Sequence, residues 1–332
     1  RVDRRQRQMC IRDSVITMTV ENIPPTPTIS TSGSTVCDGV AVPDVTLTSS
    51  LAPNGGAYEW FRNGVSVGNN SQTLALDGAA ASGSYTVRVS DGSNTNVCYS
   101  AQSAAEAIVI NTQPSAGLVV TPSATSVCDG GTLTFTVGLS QTGVNYELFD
   151  GATSMSSSVG GNGGTITLTS NTFNTPSTVT IKVTATNASS GCSVDLTDTE
   201  DITINALPMV TFASNDGDDT VCAGTSVTFT AGGATNYQYY INGLSVQGPS
   251  TSTTYVTSSL VDGDVVTVRG TDGSSCSALS ATSFTMTIES APAAPSITGV
   301  APASPVCDPG VGTDITLTSS LAPNTGDYEW FR

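Results

Sequence analysis

The cysteines are the residues of this chain whose spacing points most directly to chemistry. The chain has 332 residues, eight cysteines and no histidine. Four cysteines recur at nearly equal intervals, and each of the first three is followed by a second cysteine before the next interval begins. Without histidine or a CxxC spacing, zinc binding is disfavoured against disulfide formation. The first cysteines are Cys37, Cys128, Cys222 and Cys307, and the second ones are Cys98, Cys192 and Cys276.

The economical pairing is one disulfide within each unit. It joins Cys37 to Cys98, Cys128 to Cys192, and Cys222 to Cys276. Cys307 is left over, because we expect its partner to lie beyond Arg332. One disulfide in each repeat predicts that the protein resides in an oxidising compartment outside the cytoplasm.

Other catalytic chemistry has little support in the residues. A Ser-His-Asp or Cys-His arrangement needs a histidine, which the chain lacks. No Asp/Glu pair recurs as it would in a glycosidase, and the glycine-rich run 160–164 lacks the lysine of a phosphate loop. We therefore predict that the chain is not an enzyme and requires no cofactor.

One acidic segment is a candidate calcium site. Asp216, Asp218 and Asp219 precede Cys222, and together with Asp262 and Asp264 they could supply the oxygen ligands that calcium prefers. The alternative is a solvated acidic turn, because the other units lack the motif.

Three aromatic residues are candidate ligand-binding positions. Phe61, Phe149 and Tyr240 occupy the last position of the motifs YEWF, YELF and YQYY, and we expect them to face outward. There they could stack on a sugar or a neighbouring domain. The alternative is that an adjacent loop covers them.

Internal repetition decides the architecture. Residues 37–62 return as residues 307–332 with 18 of 26 positions identical. Three cysteine intervals separate the two copies, so each repeat has roughly 90 residues, enough to bury its own core. This predicts separate domains in tandem, like beads on a string.

Within a repeat, Val, Ile and aromatic residues alternate with Thr and Ser, which predicts β-strands. In the first repeat we expect strands near 27–31, 44–50, 56–62, 65–68, 84–90 and 106–111. A hairpin turn is expected at Asn63-Gly64, Asp150-Gly151 and Asn242-Gly243. The fold class is therefore all-β.

The aromatic strand and a later strand should pair. Trp60, Leu148, Tyr239 and Trp330 should then occupy equivalent core positions, one in each repeat. Cross-strand ion pairs are expected between Glu59 and Arg88 and between Glu147 and Lys182, with Gln238 facing Arg269 in the third repeat.

The two ends are expected to be cut. Residues 1–14 hold five of the ten basic residues and resemble a translated sequencing adapter, so we interpret them as an artefact and exclude them. Residues 15–22 match the last strand of a preceding repeat. The predicted domains are 23–112, 113–206 and 207–290, followed by half of a fourth repeat at 291–332. Linkers are expected at 23–27, 112–116, 206–208 and 290–295.

The acidic balance limits the partners. The formal net charge is −17, which disfavours nucleic acid and anionic lipid. No apolar stretch of about 20 residues predicts membrane insertion. The remaining partners are other repeats of the same chain and a surface glycan or protein ligand.

The order of these features resembles a known class of repeats. A cysteine, a VTLT-like strand, Tyr-x-Trp, Asn-Gly, the segment GSYTVRVSDG from Gly83 and a closing cysteine resemble Ig-like or PKD-like repeats of large bacterial surface proteins. The cysteines depart from antibody domains, where they lie on strands B and F, because here they lie before the VTLT-like strand and after the GSYTVRVSDG strand.

The resemblance implies tandem immunoglobulin-like β-sandwiches in a non-catalytic stalk or adhesive segment at the cell surface. The alternative is a set of accessory or carbohydrate-binding modules of a secreted multidomain hydrolase.

Overall fold

The chain folds as tandem immunoglobulin-like β-sandwiches. The computed structural model describes residues 20, 22–52, 56–92, 97–290, 296–299 and 317–319. The chain divides into two compact units, Arg1–Ile204 and Asn205–Arg332. Some of the sequence predictions fall outside the described residues. They concern residues 1–14, most of residues 15–22, and Cys307 and Trp330 in the fourth repeat.

Repeat 1 is a sandwich of a three-stranded and a five-stranded sheet, ordered β1-β3-β6 and β2-β8-β7-β4-β5. Strand β2 runs parallel to β8, and every other pairing of these strands is antiparallel. A short 3₁₀ turn, Ala79–Ala81, precedes β7. The strands are β1 Ile29–Thr31, β2 Thr35–Cys37, β3 Val45–Ser49, β4 Tyr58–Arg62, β5 Val65–Ser66, β6 Thr73–Leu76, β7 Gly83–Val89 and β8 Glu106–Asn111.

Repeat 2 has the same two layers, ordered β9-β11-β15 and β10-β18-β16-β12-β13. Strand β14 also pairs with β12, and β17 pairs with β16. The strands are β9 Val120–Pro122, β10 Ser126–Cys128, β11 Thr134–Val137, β12 Val144–Asp150, β13 Thr153–Ser154, β14 Val159–Gly160, β15 Ile166–Thr169, β16 Ser177–Asn187, β17 Ser193–Asp195 and β18 Glu200–Asn205.

Repeat 3 repeats the layers as β19-β21-β24 and β23-β22-β25-β26, with β27 on β25 and a parallel pair β20-β28. Beyond it, β29 Ile297–Gly299 pairs antiparallel with β30 Leu317–Ser319. The strands of repeat 3 are β19 Thr211–Ser214, β20 Thr220–Cys222, β21 Val227–Gly232, β22 Asn236–Ile241, β23 Leu244–Ser250, β24 Thr254–Thr257, β25 Val265–Thr271, β26 Ser277–Leu279, β27 Phe284–Thr285 and β28 Thr287–Glu289.

The alternating sequence pattern builds a separate core in each repeat. In β3, Val45, Leu47 and Ser49 are buried while the intervening threonines are half-buried. Trp60 and Leu148 are each 0% exposed, as is Tyr239. The prediction that these three residues occupy equivalent core positions is therefore confirmed in the described repeats.

Two short strands of repeat 1 were not predicted. Strand β2 has only three residues, and β6 has the sequence TLAL with a period-two burial that is visible only in the fold. The hairpins after the aromatic strand are confirmed at Asn63-Gly64 and Asn242-Gly243, where all four residues have positive φ. In repeat 2 the turn is shifted, because Asp150 pairs with Thr153 and the loop is Gly151-Ala152.

Candidate functional site

Cys37 is placed by the parallel pairing of β2 and β8. It lies opposite Asn111, the last residue of β8. The N–H of Asp38 donates to the carbonyl oxygen of Asn111 at 2.8 Å. Just beyond, the buried carboxylate of Asp44 accepts from the N–H groups of Gly39 and Gly78, each at 2.8 Å. These bonds fix the chain immediately after Cys37, at the end of repeat 1 where β8 leaves the sandwich.

Cys192 is placed by the turn between β16 and β17. The side-chain Oδ1 of Asn187 accepts from the N–H groups of Ser189 and Ser190, at 3.0 and 3.3 Å. The N–H of Asn187 donates to the carbonyl oxygen of Cys192 at 2.8 Å, and Gly191 has a φ of 75°. Since glycine adopts positive φ without steric cost, this turn can close tightly. Cys192 is 1% exposed.

Cys37 and Cys192 form a disulfide between repeats 1 and 2. Their Cα atoms are 5.6 Å apart, and the sequence separation is 155 residues. The Sγ of Cys192 lies 4.0 Å from the carbonyl oxygen of Asn111. The predicted pairs Cys37–Cys98 and Cys128–Cys192 are therefore wrong.

Strand direction explains the error. Cys37 pairs with Asn111, at the end of β8. Cys98 precedes Tyr99, which pairs with Ser90, the residue that follows β7. Because β7 and β8 are antiparallel, with Gly83 opposite Ile108, these two positions are about ten residues apart along the sheet. At about 3.3 Å per residue that is about 30 Å, far beyond the roughly 7 Å that a disulfide allows. The two cysteines of one repeat thus lie at opposite ends of the sandwich.

The placement of the first cysteine recurs in repeat 3. Cys222 lies opposite Glu289 in the parallel pair β20-β28, as Cys37 lies opposite Asn111. Cys222 is exposed and carries a free thiol, so the predicted pair Cys222–Cys276 is also wrong. Cys128 and Cys276 are each disulfide-bonded.

The linker between repeats 1 and 2 is held by repeat 2. Pro114 is buried. The N–H of Ser115 donates to Gln141 Oε1 at 2.6 Å, and the carbonyl oxygen of Ala116 accepts from the N–H of Thr197 at 2.9 Å. The disulfide and these bonds together define the junction, by which we mean Cys37, Cys192 and the linker 112–116.

One predicted ion pair is confirmed on the outer face of repeat 1. Arg88 Nη2 lies 2.6 Å from Glu59 Oε2. The guanidinium also lies over the ring of Tyr99 at 4.0 Å and over the ring of Phe61 at 5.3 Å. The contact with Tyr99 was not predicted, since Tyr99 lies outside the repeated motifs. Phe61 is only 8% exposed, so it is covered and not open to a ligand.

The ion pair predicted for repeat 2 is wrong. Lys182 lies opposite Phe149, and Glu147 lies opposite Thr184. Glu147 instead accepts a hydrogen bond from the hydroxyl of Ser154. The pairing of β12 with β16 expected from the sequence differs from the observed register by two residues, because Glu147 lies opposite Thr184 and not opposite Lys182.

Lys182 forms its ion pair with β17. Its Nζ lies 2.6 Å from Asp195 Oδ2. The hydrogen bonds from Lys182 and then from Thr184 hold the pKa of the Asp195 carboxyl below its ordinary value. In repeat 3, Gln238 faces Arg269 as predicted.

The other two candidate aromatic residues are half-buried. Phe149 lines a groove of about 210 Å³ on the outer face of β12 and β16. Tyr240 lies on the corresponding strand β22. The groove is lined by Asn145, Glu147, Phe149, Ser158, Thr184 and Thr186.

The acidic candidates for calcium are not gathered into one cluster in the described residues, where no three His, Cys, Asp or Glu side chains are placed to hold a metal ion. Asp264 is buried and accepts from Val261 N–H at 2.9 Å and from Asn242 Nδ2 at 2.7 Å. Asp262 accepts from Ile288 N–H, and Asp218 from Thr220 N–H.

No family model and no curated protein sequence matches this chain. Among solved structures it is similar to fibronectin(III)-like modules of Clostridium thermocellum CbhA, with 15% identity, 51% of this chain and 95% of that chain covered, and a TM-score of 0.29. A Ca²⁺-stabilised adhesin with which an Antarctic bacterium binds ice shows 17% identity, coverage of 84% and 77%, and a TM-score of 0.32. The ICAM-5 D1–D4 ectodomain shows 11% sequence identity and a TM-score of 0.36, with 82% of this chain and 75% of that chain covered. These values are low, so the fold assignment rests on this chain's own sheets and cores.

In the part of the chain that the structure describes, no helix has the length and apolar character needed to cross a membrane.

Proposed function

We propose that this chain is a non-catalytic stalk segment of an extracellular bacterial surface protein, in which tandem Ig-like repeats hold a binding region away from the cell. The observation that carries the proposal is the disulfide between Cys37 and Cys192. It joins the two sandwiches at the linker, because Cys37 lies where β8 leaves repeat 1 and Cys192 lies where the linker enters repeat 2. A covalent link at that place connects the two domains and constrains both of them.

Location and charge support the same function. Disulfides persist in oxidising compartments outside the cytoplasm. A net charge of −17 keeps a Ser/Thr-rich chain soluble and disfavours adsorption to anionic surfaces. The threonine side chains on the outer faces, as in β3, give strands that remain hydrated on one side.

Antibodies raised against the whole chain test this proposal on the cells that produce the protein. We expect immunogold label outside the envelope of intact cells, removed by brief treatment with an added protease. Label that appears only after permeabilisation would contradict the proposal.

The groove beside Phe149 supports a second candidate function, the recognition of a glycan by repeat 2. An aromatic ring offers an apolar face for a sugar ring, and the amide, carboxylate and hydroxyl groups around it offer hydrogen-bond partners. This matches an accessory module of a secreted hydrolase.

A glycan array probed with the intact chain tests the second candidate. We expect binding that Phe149→Ala abolishes and Tyr240→Ala preserves, since Tyr240 lies outside the groove. Absence of binding, or equal binding by the Phe149→Ala variant, would reject a glycan site there.

A further inference from the structure

The position of the Cys37–Cys192 disulfide determines which residues can carry tension. Force applied along the chain enters repeat 1 before Cys37 and leaves repeat 2 after Cys192. The disulfide joins these two points through Cα atoms 5.6 Å apart, whereas the chain between them has a sequence separation of 155 residues. Tension therefore passes through the covalent bond, and the backbone of residues 38–191 is bypassed.

The shielded segment contains most of both sandwiches. It includes β3 to β8 of repeat 1 and β9 to β16 of repeat 2. Fully extended, 155 residues would span about 530 Å at about 3.4 Å per residue. That length stays stored even if the hydrogen bonds of both repeats break.

Only short pieces of the two repeats remain under load. They are β1 and β2 before Cys37, and β17 and β18 after Cys192. These pieces comprise about 20 residues, so their complete detachment would lengthen the chain by about 70 Å.

The surroundings of Cys37 hold the bridge on the sandwich. Strand β2 pairs with β8 in parallel over Thr35, Val36 and Cys37. Because β8 lies in the bypassed segment, these hydrogen bonds anchor β2 to repeat 1 without lying in the path of the tension. Asp44 ties the residues that follow Cys37 to Gly78, across the sandwich.

We propose that the Cys37–Cys192 bridge is an extension stop, a covalent bypass that limits how far repeats 1 and 2 lengthen under tension. This deepens the stalk function proposed above and rests on it for its biological purpose. A stalk with such a stop lengthens only by what its loaded pieces allow, even when a pull unfolds its domains. An array of independent domains would lengthen by a whole domain at each unfolding event.

Force spectroscopy on the full chain tests the stop directly. Ile23 and Leu207 are exposed, at 70% and 42%, and can each be replaced by an azide-bearing residue that takes a DNA handle. Between these points the loaded backbone comprises residues 23–37 and 192–207, so the oxidised chain should lengthen by no more than about 100 Å. The variant with Cys37→Ser and Cys192→Ala should lengthen by several hundred ångströms more, up to about 530 Å, less whatever length the remaining disulfide at Cys128 retains. Cys222→Ser, which removes the exposed thiol, is the matched control and should behave as the unaltered chain.

A second measurement keeps the test decisive if the double variant does not fold. Adding a phosphine reductant to a stretched, unaltered molecule should release up to about 530 Å. Full extension of the oxidised chain without reductant would overturn the extension stop. That result would leave the immunogold test of the stalk untouched, whereas label confined to permeabilised cells would reject the stalk and leave the mechanical result standing.

Discussion

Removal of the Cys37–Cys192 bridge should destabilise two repeats at once, although it is a single bond. When repeat 1 unfolds and repeat 2 stays folded, Cys192 remains near Ala116 through the Thr197 to Ala116 hydrogen bond. The bridge then closes an unfolded loop that runs from Cys37 to Ala116. When repeat 2 unfolds instead, Cys37 remains beside Asn111, and the closed loop runs from Asn111 to Cys192. Each loop covers about half of the sequence between the two cysteines.

The size of the effect follows from the loop length. In the chain-entropy model, a closed loop of about 80 residues stabilises the folded state by about 4.5 kcal/mol at 25 °C. The variant with Cys37→Ser and Cys192→Ala should lose about this much unfolding free energy in each of the two repeats. A loss of about 4.5 kcal/mol corresponds to roughly a 2,000-fold increase in the population of the unfolded state.

Hydrogen exchange followed by mass spectrometry resolves the repeats in the intact chain. The most protected amides of β7 and β16 should exchange roughly 2,000 times faster in the double variant. Those of β25 in repeat 3 should be unchanged. Cys222→Ser, with its exposed thiol, is the control and should leave all three strands as they are. Acceleration in only one of the two repeats, or less than tenfold in both, would refute the reasoning.

Three further predictions concern single side chains. Arg88→Lys should destabilise repeat 1 by about 1 kcal/mol in thermal unfolding, because an ammonium replaces the planar guanidinium that lies over Tyr99 and contacts Glu59 through two nitrogens. Arg269→Lys should have almost no effect, and equal effects of the two substitutions would contradict this. The pKa of Asp195 is lowered in the folded chain, so the contribution of its ion pair to stability is present above the unfolded pKa and is lost as the pH falls through the folded pKa. In the Lys182→Gln variant, the titration of the Asp195 carboxyl followed by NMR should move to higher pH. An unmoved midpoint would contradict the assignment. The thiol of Cys222 should react with a maleimide before any reduction, and a protected thiol would contradict its exposure.

Local sequence patterns predicted those parts of the fold that depend on neighbouring residues. The alternation in VTLTS predicted β3, and the Asn-Gly pairs predicted two hairpins because only a few residue types adopt positive φ. Trp60 was predicted to be buried because a strand with one buried face places every second residue in the core.

Features that depend on the pairing of distant strands were not predictable in the same way. The assignment of Lys182 to Glu147 failed because the register of β16 on β12 differs by two residues from that of β7 on β4. Nothing in the local sequence reports that shift.

The cysteine pairing failed for a related reason. Spacing along the chain shows that the cysteines of one repeat are separate in sequence but not that they lie at opposite ends of a sandwich. The sequence showed that Cys37 precedes the strand β3 and that Cys98 follows the strand β7. Only the parallel pairing of β2 with β8 turns those positions into opposite ends.

A non-reducing tryptic peptide map tests the central claim most directly. The denatured chain, with free thiols first blocked, is cleaved after Arg12, Arg62, Arg88, Lys182 and Arg269, so that Cys37 and Cys192 fall in different peptides.

The bridge between repeats predicts a disulfide-linked product that joins peptide 13–62 to peptide 183–269 and separates on reduction. A product that instead joins 13–62 to 89–182 would place Cys37 with a cysteine of the latter peptide. That result would contradict the interdomain link, and with it the extension stop.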